Sequence, residues 1–218
     1  MKYFAPVAAF LLTIMGSLVF KDRQYYFICL AIVVAILVPF VFSLEKTKER
    51  TLVVIGALAA LSAVSRVAFS PVPQFKPMVA IVILSGICLG AQKGFAVGAV
   101  GAFASNMYFG QGPWTPWQMF AMGIVGFLAG ICFGKKRPNI VVISVFGFII
   151  TMVAYGVIMD LSTVVMTYDK PALGQVVATL SMGVYFNIIH GLSTLGFLLI
   201  GGKPIIKRLD RIVKKYGV

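Results

Sequence analysis

The stretch ERTLVVIGALAALSAVSRVAF, residues 49–69, runs for 15 uncharged residues between Arg50 and Arg66. Crossing a bilayer takes about 20 predominantly apolar residues, within a usual range of about 17–25. Charge closes this run at one end, and the single arginine near the other end lies where a long side chain reaches the interface. It reads as a transmembrane helix. The same pattern recurs outward in both directions. The 218 residues are 60% hydrophobic and 11% charged, with a mean hydropathy of +1.00, whereas soluble domains carry about 25% charged residues. The chain is therefore read as an all-α integral membrane protein.

Apolar runs bounded by charge, proline or glycine give eight expected spans, at 4–20, 26–44, 51–69, 77–90, 94–109, 116–133, 139–161 and 176–200. The first has no small-residue cleavage site after it and reads as a retained helix, not a signal peptide. The fourth and fifth are short, so they are either tilted or form a hairpin that crosses only in part. EKTKER, residues 45–50, is the clearest seam. Two plain hydrophobic helices precede it, and glycine and polar residues accumulate after it. The expected organisation is an N-terminal two-helix extension (1–46), a six-helix core (47–202) and a basic tail (203–218).

The net charge of +13 is compatible with nucleic acid or with a membrane surface, and its distribution selects the membrane. With the N-terminus inside, fourteen of the 19 Lys and Arg residues fall on the inner face, as the positive-inside rule requires. These include Lys2, Lys93, the KKR at 135–137 and six in the tail. Lys21, Arg23, Arg66, Lys76 and Lys170 fall outside. Ile205, Ile206, Leu209, Ile212 and Val213 repeat at helical spacing, so the tail reads as an amphipathic helix along the inner leaflet. Cys29, Cys88 and Cys132 lie in apolar runs without CxxC spacing, which suggests neither a disulfide framework nor a metal site. No cofactor is implied.

Gly86, Gly90, Gly94 and Gly98 recur every four residues, continued by Ala102 and Asn106, and Gly123, Gly126, Gly130 and Gly134 form a second series. Small residues at this spacing let membrane helices approach closely. Gly56, Ala59, Ala60 and Ala63 repeat the device in residues 49–69, where the smooth face serves either internal packing or docking of another membrane protein.

Uncommon polar residues gather toward the outer side: Arg66, Gln74, Lys76, Asn106, Tyr108, Gln111, Gln118 and Asp160, with Asn187 in the last span. An intramembrane charge marks a partner or a water-filled cavity, so Arg66 and Asp160 either contact a ligand, pair with one another or snorkel to the interface. His190, on the same helical face as Gly183, Asn187, Gly191 and Thr194, reads first as an interhelical hydrogen-bond donor. Trp114 and Trp117 are the chain's two tryptophans, set in GQGPWTPWQM (110–119) between Pro113 and Pro116. They read either as interfacial anchors or as the wall of a site for a flat, mostly uncharged ligand, with Gln111 and Gln118 supplying hydrogen bonds.

Residues 49–69, the stretch PQFKPMVAIVILSGICLGAQKGFAVGAVGAFASNMYFGQGPWTPWQM (73–119) and GIVGFLAG (123–130) together resemble the substrate-binding S components of energy-coupling factor transporters. That resemblance implies a six-helix fold in a prokaryotic cell membrane, here preceded by two extra helices. It also implies a vitamin or precursor bound at the outer side, and a partner module of one membrane coupling protein and two cytosolic ATPases. Docking through the small-residue face of the first core helix is part of what it implies. The subgroup suggested by GQGPWTPWQM is the cobalamin or corrinoid one, and the same loop suits a flavin or a pterin. The chain has no GxxxxGK[ST] phosphate loop, so ATP hydrolysis belongs to other subunits. An intramembrane enzyme is the alternative, poorly served by one histidine, and a scaffold without ligand is another.

Overall fold

The computed structural model describes residues 23–43, 47–135 and 137–217. The first expected span, with Lys2 and Lys21, lies outside the described residues. Seven helices and no strands are described: α1 (Gln24–Ser43), α2 (Glu49–Ala68), α3 (Met78–Leu89), α4 (Ala91–Phe109), α5 (Thr115–Phe133), α6 (Ile140–Thr167) and α7 (Leu173–Tyr216). Four of them (α2, α5, α6 and α7) are long and apolar enough to cross a membrane. The chain is an all-helical, multi-pass membrane protein, with α2 to α7 packed as one bundle and α1 resting on α4, α5 and α6.

The fourth expected span is not a lipid-facing helix. α3 has 12 residues, about 18 Å at 1.5 Å per residue, and a bilayer core is about 30 Å thick. All 12 are buried, enclosed by α2, α4, α5 and α7. Its side chains are apolar because protein surrounds them. Ile140 and Ile143 of α6 and Leu198 of α7 share one core with α3 and with Val125 and Ala129 of α5.

The first glycine series does not lie along one helix. Gly90, at φ +96°, turns the chain between α3 and α4, a conformation that favours glycine. Folding back there brings Gly86 and Gly94 face to face, and α5 closes on both. A Cβ on Gly94 would lie 2.4 Å from the Gly86 Cα, and one on Gly126 would lie 2.3 Å from the Gly94 carbonyl oxygen. Three backbones are in contact at this crossing. Gly126→Val should therefore lower the melting temperature of the purified protein sharply, since overpacking costs about 1–3 kcal/mol even where side chains can yield. Gly196→Ala, which meets no atom within 4 Å, should melt like the parent.

The tail is the end of α7, which runs unbroken for 44 residues with Pro204 in its interior. Its apolar stripe is engaged within the protein, which corrects the expectation that it lies on lipid. Leu209 packs with Ile55 and Leu58 of α2 and Leu89 of α3, and Ile205, Ile206, Ile212 and Val213 pack beside them. The basic residues collect at this end of the bundle. Lys48 donates to the Gly217 carbonyl at 3.5 Å, and Arg137 pairs with Asp210. At the opposite end Arg23 pairs with Asp169 at 3.1 Å and Tyr26 donates to the Pro113 carbonyl at 3.3 Å.

The rotation of α2 divides the expected docking residues. Ala59 and Ala63 are buried with Ile55, Leu58 and Ser62, against α4, where a Cβ on Gly101 would lie 2.1 Å from the Ser62 Oγ. They are unavailable to a partner. Gly56 and Ala60 face outward.

Candidate functional site

The end of the bundle away from the basic tail carries a buried polar network. Its centre is Asn106, 1% exposed, near the end of α4. Asn106 Oδ1 accepts from Arg66 NH1 of α2 at 2.8 Å. Its Nδ2 donates to Gln118 Oε1 at 2.8 Å and to Thr115 Oγ1 at 3.2 Å, both on α5. Arg66 also donates to Ser105 Oγ. One amide thus ties three helices, and every polar atom of Asn106's side chain has a partner, as burial demands.

The GQGPW loop is fixed by its own side chains. Gly110 takes φ +94° to end α4, and Pro116 sits in the first turn of α5, where its missing N–H has no cost. The Gly112 amide donates to Thr115 Oγ1 at 3.2 Å, and Thr115 donates to Gln111 Oε1 at 3.0 Å. Gln111 Nε2 reaches back to the Phe103 carbonyl at 3.1 Å. Gln111 is accordingly a loop clasp on the exposed side. The tryptophans separate: Trp114 is partly exposed with its ring folded over Gly112, while Trp117 is buried and its Nε1 has no partner among the described residues. They do not form one continuous wall.

Arg66 and Asp160 do not pair. Asp160 Oδ2 accepts from Asn187 Nδ2 at 2.8 Å, making a second polar station between α6 and α7. Glycines make the room for it: Asp160 lies against Gly183, and Asn187 against Gly156. Between the two stations is Tyr155, within electrostatic reach of Arg66 and Asp160 and beside Gln118. No residue pattern singles it out, since a tyrosine in an apolar run is ordinary. The six-residue π-helical turn Thr151–Gly156 resets the face that α6 presents, and such turns recur at functional sites. The edge of Tyr155 meets His190 at 5.1 Å. His190 is buried, and its Nε2 has no hydrogen-bond partner among the described residues. It is thus not the interhelical donor through that nitrogen that its position suggests.

Phe109, also unflagged by the sequence, lies under two cations: Arg66 at 4.5 Å and Lys76 at 5.2 Å from its ring centroid. Lys76 belongs to the α2–α3 loop, which is pinned to α7 by a bond from Ser193 Oγ to the Lys76 carbonyl at 3.2 Å and by Phe75 against Phe197. Burial and then the Arg66 charge draw the Lys76 pKa below its ordinary value. Gln74, at φ +56°, shapes the apex of this loop. Tyr108 is 65% exposed, with its ring against neighbouring Phe109. Arg66, Asn106, Gln118, Asp160 and Asn187 therefore come together around Tyr155 and His190, with Lys76 and Phe109 at the margin, while Tyr108, Gln111 and Trp114 stay outside.

Among the described residues no His, Cys, Asp or Glu cluster could hold a metal ion, and the three cysteines are free. The arrangement offers hydrogen-bond donors and acceptors, two cations and one carboxylate around aromatic surface.

A family model described as the S component of an ECF-type riboflavin transporter matches residues 46–209. The UPF0397 protein of Aliivibrio salmonicida is 29% identical over 137 residues, covering 56% of this chain and 73% of that protein. UPF0397 proteins of Vibrio atlanticus and Aliivibrio fischeri are 33% and 32% identical over 87 residues, each covering 38% of this chain and 47% of the relative. No solved structure matches.

Proposed function

The chain belongs to the S-component family of ECF-type transporters, and on that premise we propose that it captures a planar heterocyclic vitamin at the Arg66–Asn106–Gln118 end of the bundle. S components are transporter subunits, not enzymes, and work in the membrane with a coupling protein and ATPases. The observation that carries the reading is the buried network centred on Asn106, set at one end of an otherwise apolar bundle beside a second station at Asp160 and Asn187. Both stations are satisfied within the protein, but the buried Trp117 Nε1 and His190 Nε2 have no partner among the described residues, and a buried polar group left so costs stability, which supports a polar-edged ligand.

The corrinoid reading rests on a tryptophan wall with an amide rim. Trp117 is buried, and Gln111 and Gln118 are bonded within the protein, which supports a smaller heterocycle such as a flavin. The basic end of the bundle is the inner end in this reading, with both termini inside and the GQGPW loop outside. The coupling protein docks on the open side of α2, at Gly56 and Ala60. Beside them lies a groove of about 830 Å³ between α2 and the end of α7, lined by Val53, Ala57, Leu61 and Ile212.

Protein purified in mild detergent should release one heterocyclic molecule per chain, identified by mass spectrometry. The reading fails if nothing copurifies and if neither riboflavin, a pterin nor a corrinoid raises the melting temperature. Orientation is checked separately. In intact cells an impermeant thiol reagent should label Gln111→Cys and leave Lys135→Cys untouched, each introduced in a background lacking the native cysteines.

A further inference from the structure

We propose that Arg66 and Lys76 form a receptor for an anionic group of the ligand, a phosphate or a carboxylate; this rests on the reading that the network around Asn106 is the ligand site. Both side chains gather at one ring, that of Phe109, although like charges repel and a membrane interior penalises each of them. Acidic partners do not account for this. The chain has six Asp and Glu residues, and Asp22 and Glu45 lie outside the described residues. Of the other four, Asp169 pairs with Arg23 and Asp210 with Arg137. Asp160 is bonded by Asn187, and Glu49 begins α2 at the opposite end of that helix from Arg66. Neither Arg66 nor Lys76 has an ion-pair partner among the described residues.

Neither cation is a free surface charge. Arg66 is held inward by Asn106 and Ser105 through one nitrogen, which leaves other N–H groups of its planar fork to meet an oxyanion. Lys76 is held by a loop fastened to α7. Nearby, within electrostatic reach of both, is His190, 4% exposed, with Nε2 unpartnered among the described residues. Two positioned cations and a buried ring nitrogen without a partner are what an oxyanion would complete. The Asp160–Asn187 station, on the other side of Tyr155, would face the uncharged part of the same molecule.

The test uses the full chain in detergent with three variants, Arg66→Gln, Lys76→Gln and Lys170→Gln, the last lying in the exposed loop before α7. Inorganic phosphate, compared with chloride at matched ionic strength, should raise the melting temperature of the parent and of Lys170→Gln, but not of Lys76→Gln or Arg66→Gln. Riboflavin 5′-phosphate should bind the parent on the order of tenfold tighter than riboflavin, as a charge-assisted contact is roughly twice as strong as a neutral one, and the gap should close in Lys76→Gln. Lys76 lies outside the Asn106 network, so this variant keeps the test valid if Arg66→Gln misfolds. A phosphate shift that persists in Lys76→Gln overturns the proposal, as does riboflavin binding without any advantage from the phosphate. If neither flavin binds but the phosphate shift depends on Lys76, the anion receptor is supported and the flavin reading fails.

Discussion

Ala60→Trp should abolish uptake of the ligand while leaving its binding to the isolated protein within about threefold of the parent, since no bond at the binding end is touched. Ala60 lies on the outward face of α2, one turn from Gly56, where a built Cβ meets no atom within 4 Å. A large side chain is therefore harmless to the isolated fold. It is damaging only where another helix must come close, because small-residue faces work by letting backbones approach, and overpacking costs about 1–3 kcal/mol or more when neither side can yield. Ala59→Trp is the informative contrast. Ala59 is 1% exposed and packs inside the bundle, so that change should lower stability and binding as well as uptake. Uptake in cells and binding in detergent, measured for both variants, decide the matter. Normal uptake by a well-expressed Ala60→Trp protein would remove this face from the coupling interface.

Asn106→Leu should weaken ligand binding by about a hundredfold or more and lower the melting temperature. The change removes the acceptor for Arg66 and the donor to both Gln118 and Thr115. A buried group left unsatisfied costs about 1–3 kcal/mol, and each 1.4 kcal/mol is tenfold in affinity, so two disturbed partners suffice for that loss. Asn106→Asp provides the finer reading. It keeps the acceptor for Arg66 and loses the donor to Gln118, so it should recover part of the stability and less of the affinity. Titration calorimetry and thermal unfolding of the two variants separate these effects. Full affinity in Asn106→Leu would mean that the network serves folding alone and that ligand is bound elsewhere.

The candidate site was partly legible in the sequence because polarity is conspicuous in an apolar chain. Arg66, Asn106, Gln118, Asp160 and Asn187 stand out for that reason, and the structure brings all five to one region. Their partners did not stand out. An Arg66–Asp160 pair was as plausible by charge as the bonds each residue makes, to Ser105 and Asn106 and to Asn187. Tyr155 and Phe109 are unremarkable in composition, and Tyr155 is turned inward by a π-helical turn that no local residue pattern announces. Gln111 looked like a ligand contact, yet it clasps its own loop, because a side-chain amide is equally suited to a carbonyl seven or eight residues away.

The sequence by itself determined that this is a multi-pass helical membrane protein, where its helices α2, α5 and α6 begin, and that residues 135–137 and the tail share a basic end. Those properties depend on how strongly each run avoids water, which is a local matter. Only the tertiary structure decided what each apolar surface meets. α3 reads as a short span, tilted or half of a partly crossing hairpin, and is a core helix that turns back at Gly90. The tail's stripe reads as lipid-facing and packs on Ile55 and Leu58, and a single alanine-rich face splits into buried Ala59 and Ala63 and open Gly56 and Ala60. Lipid and protein interior are both apolar, so hydrophobicity cannot separate them; the choice is made by side-chain fit between helices, and that exists only once the bundle has assembled.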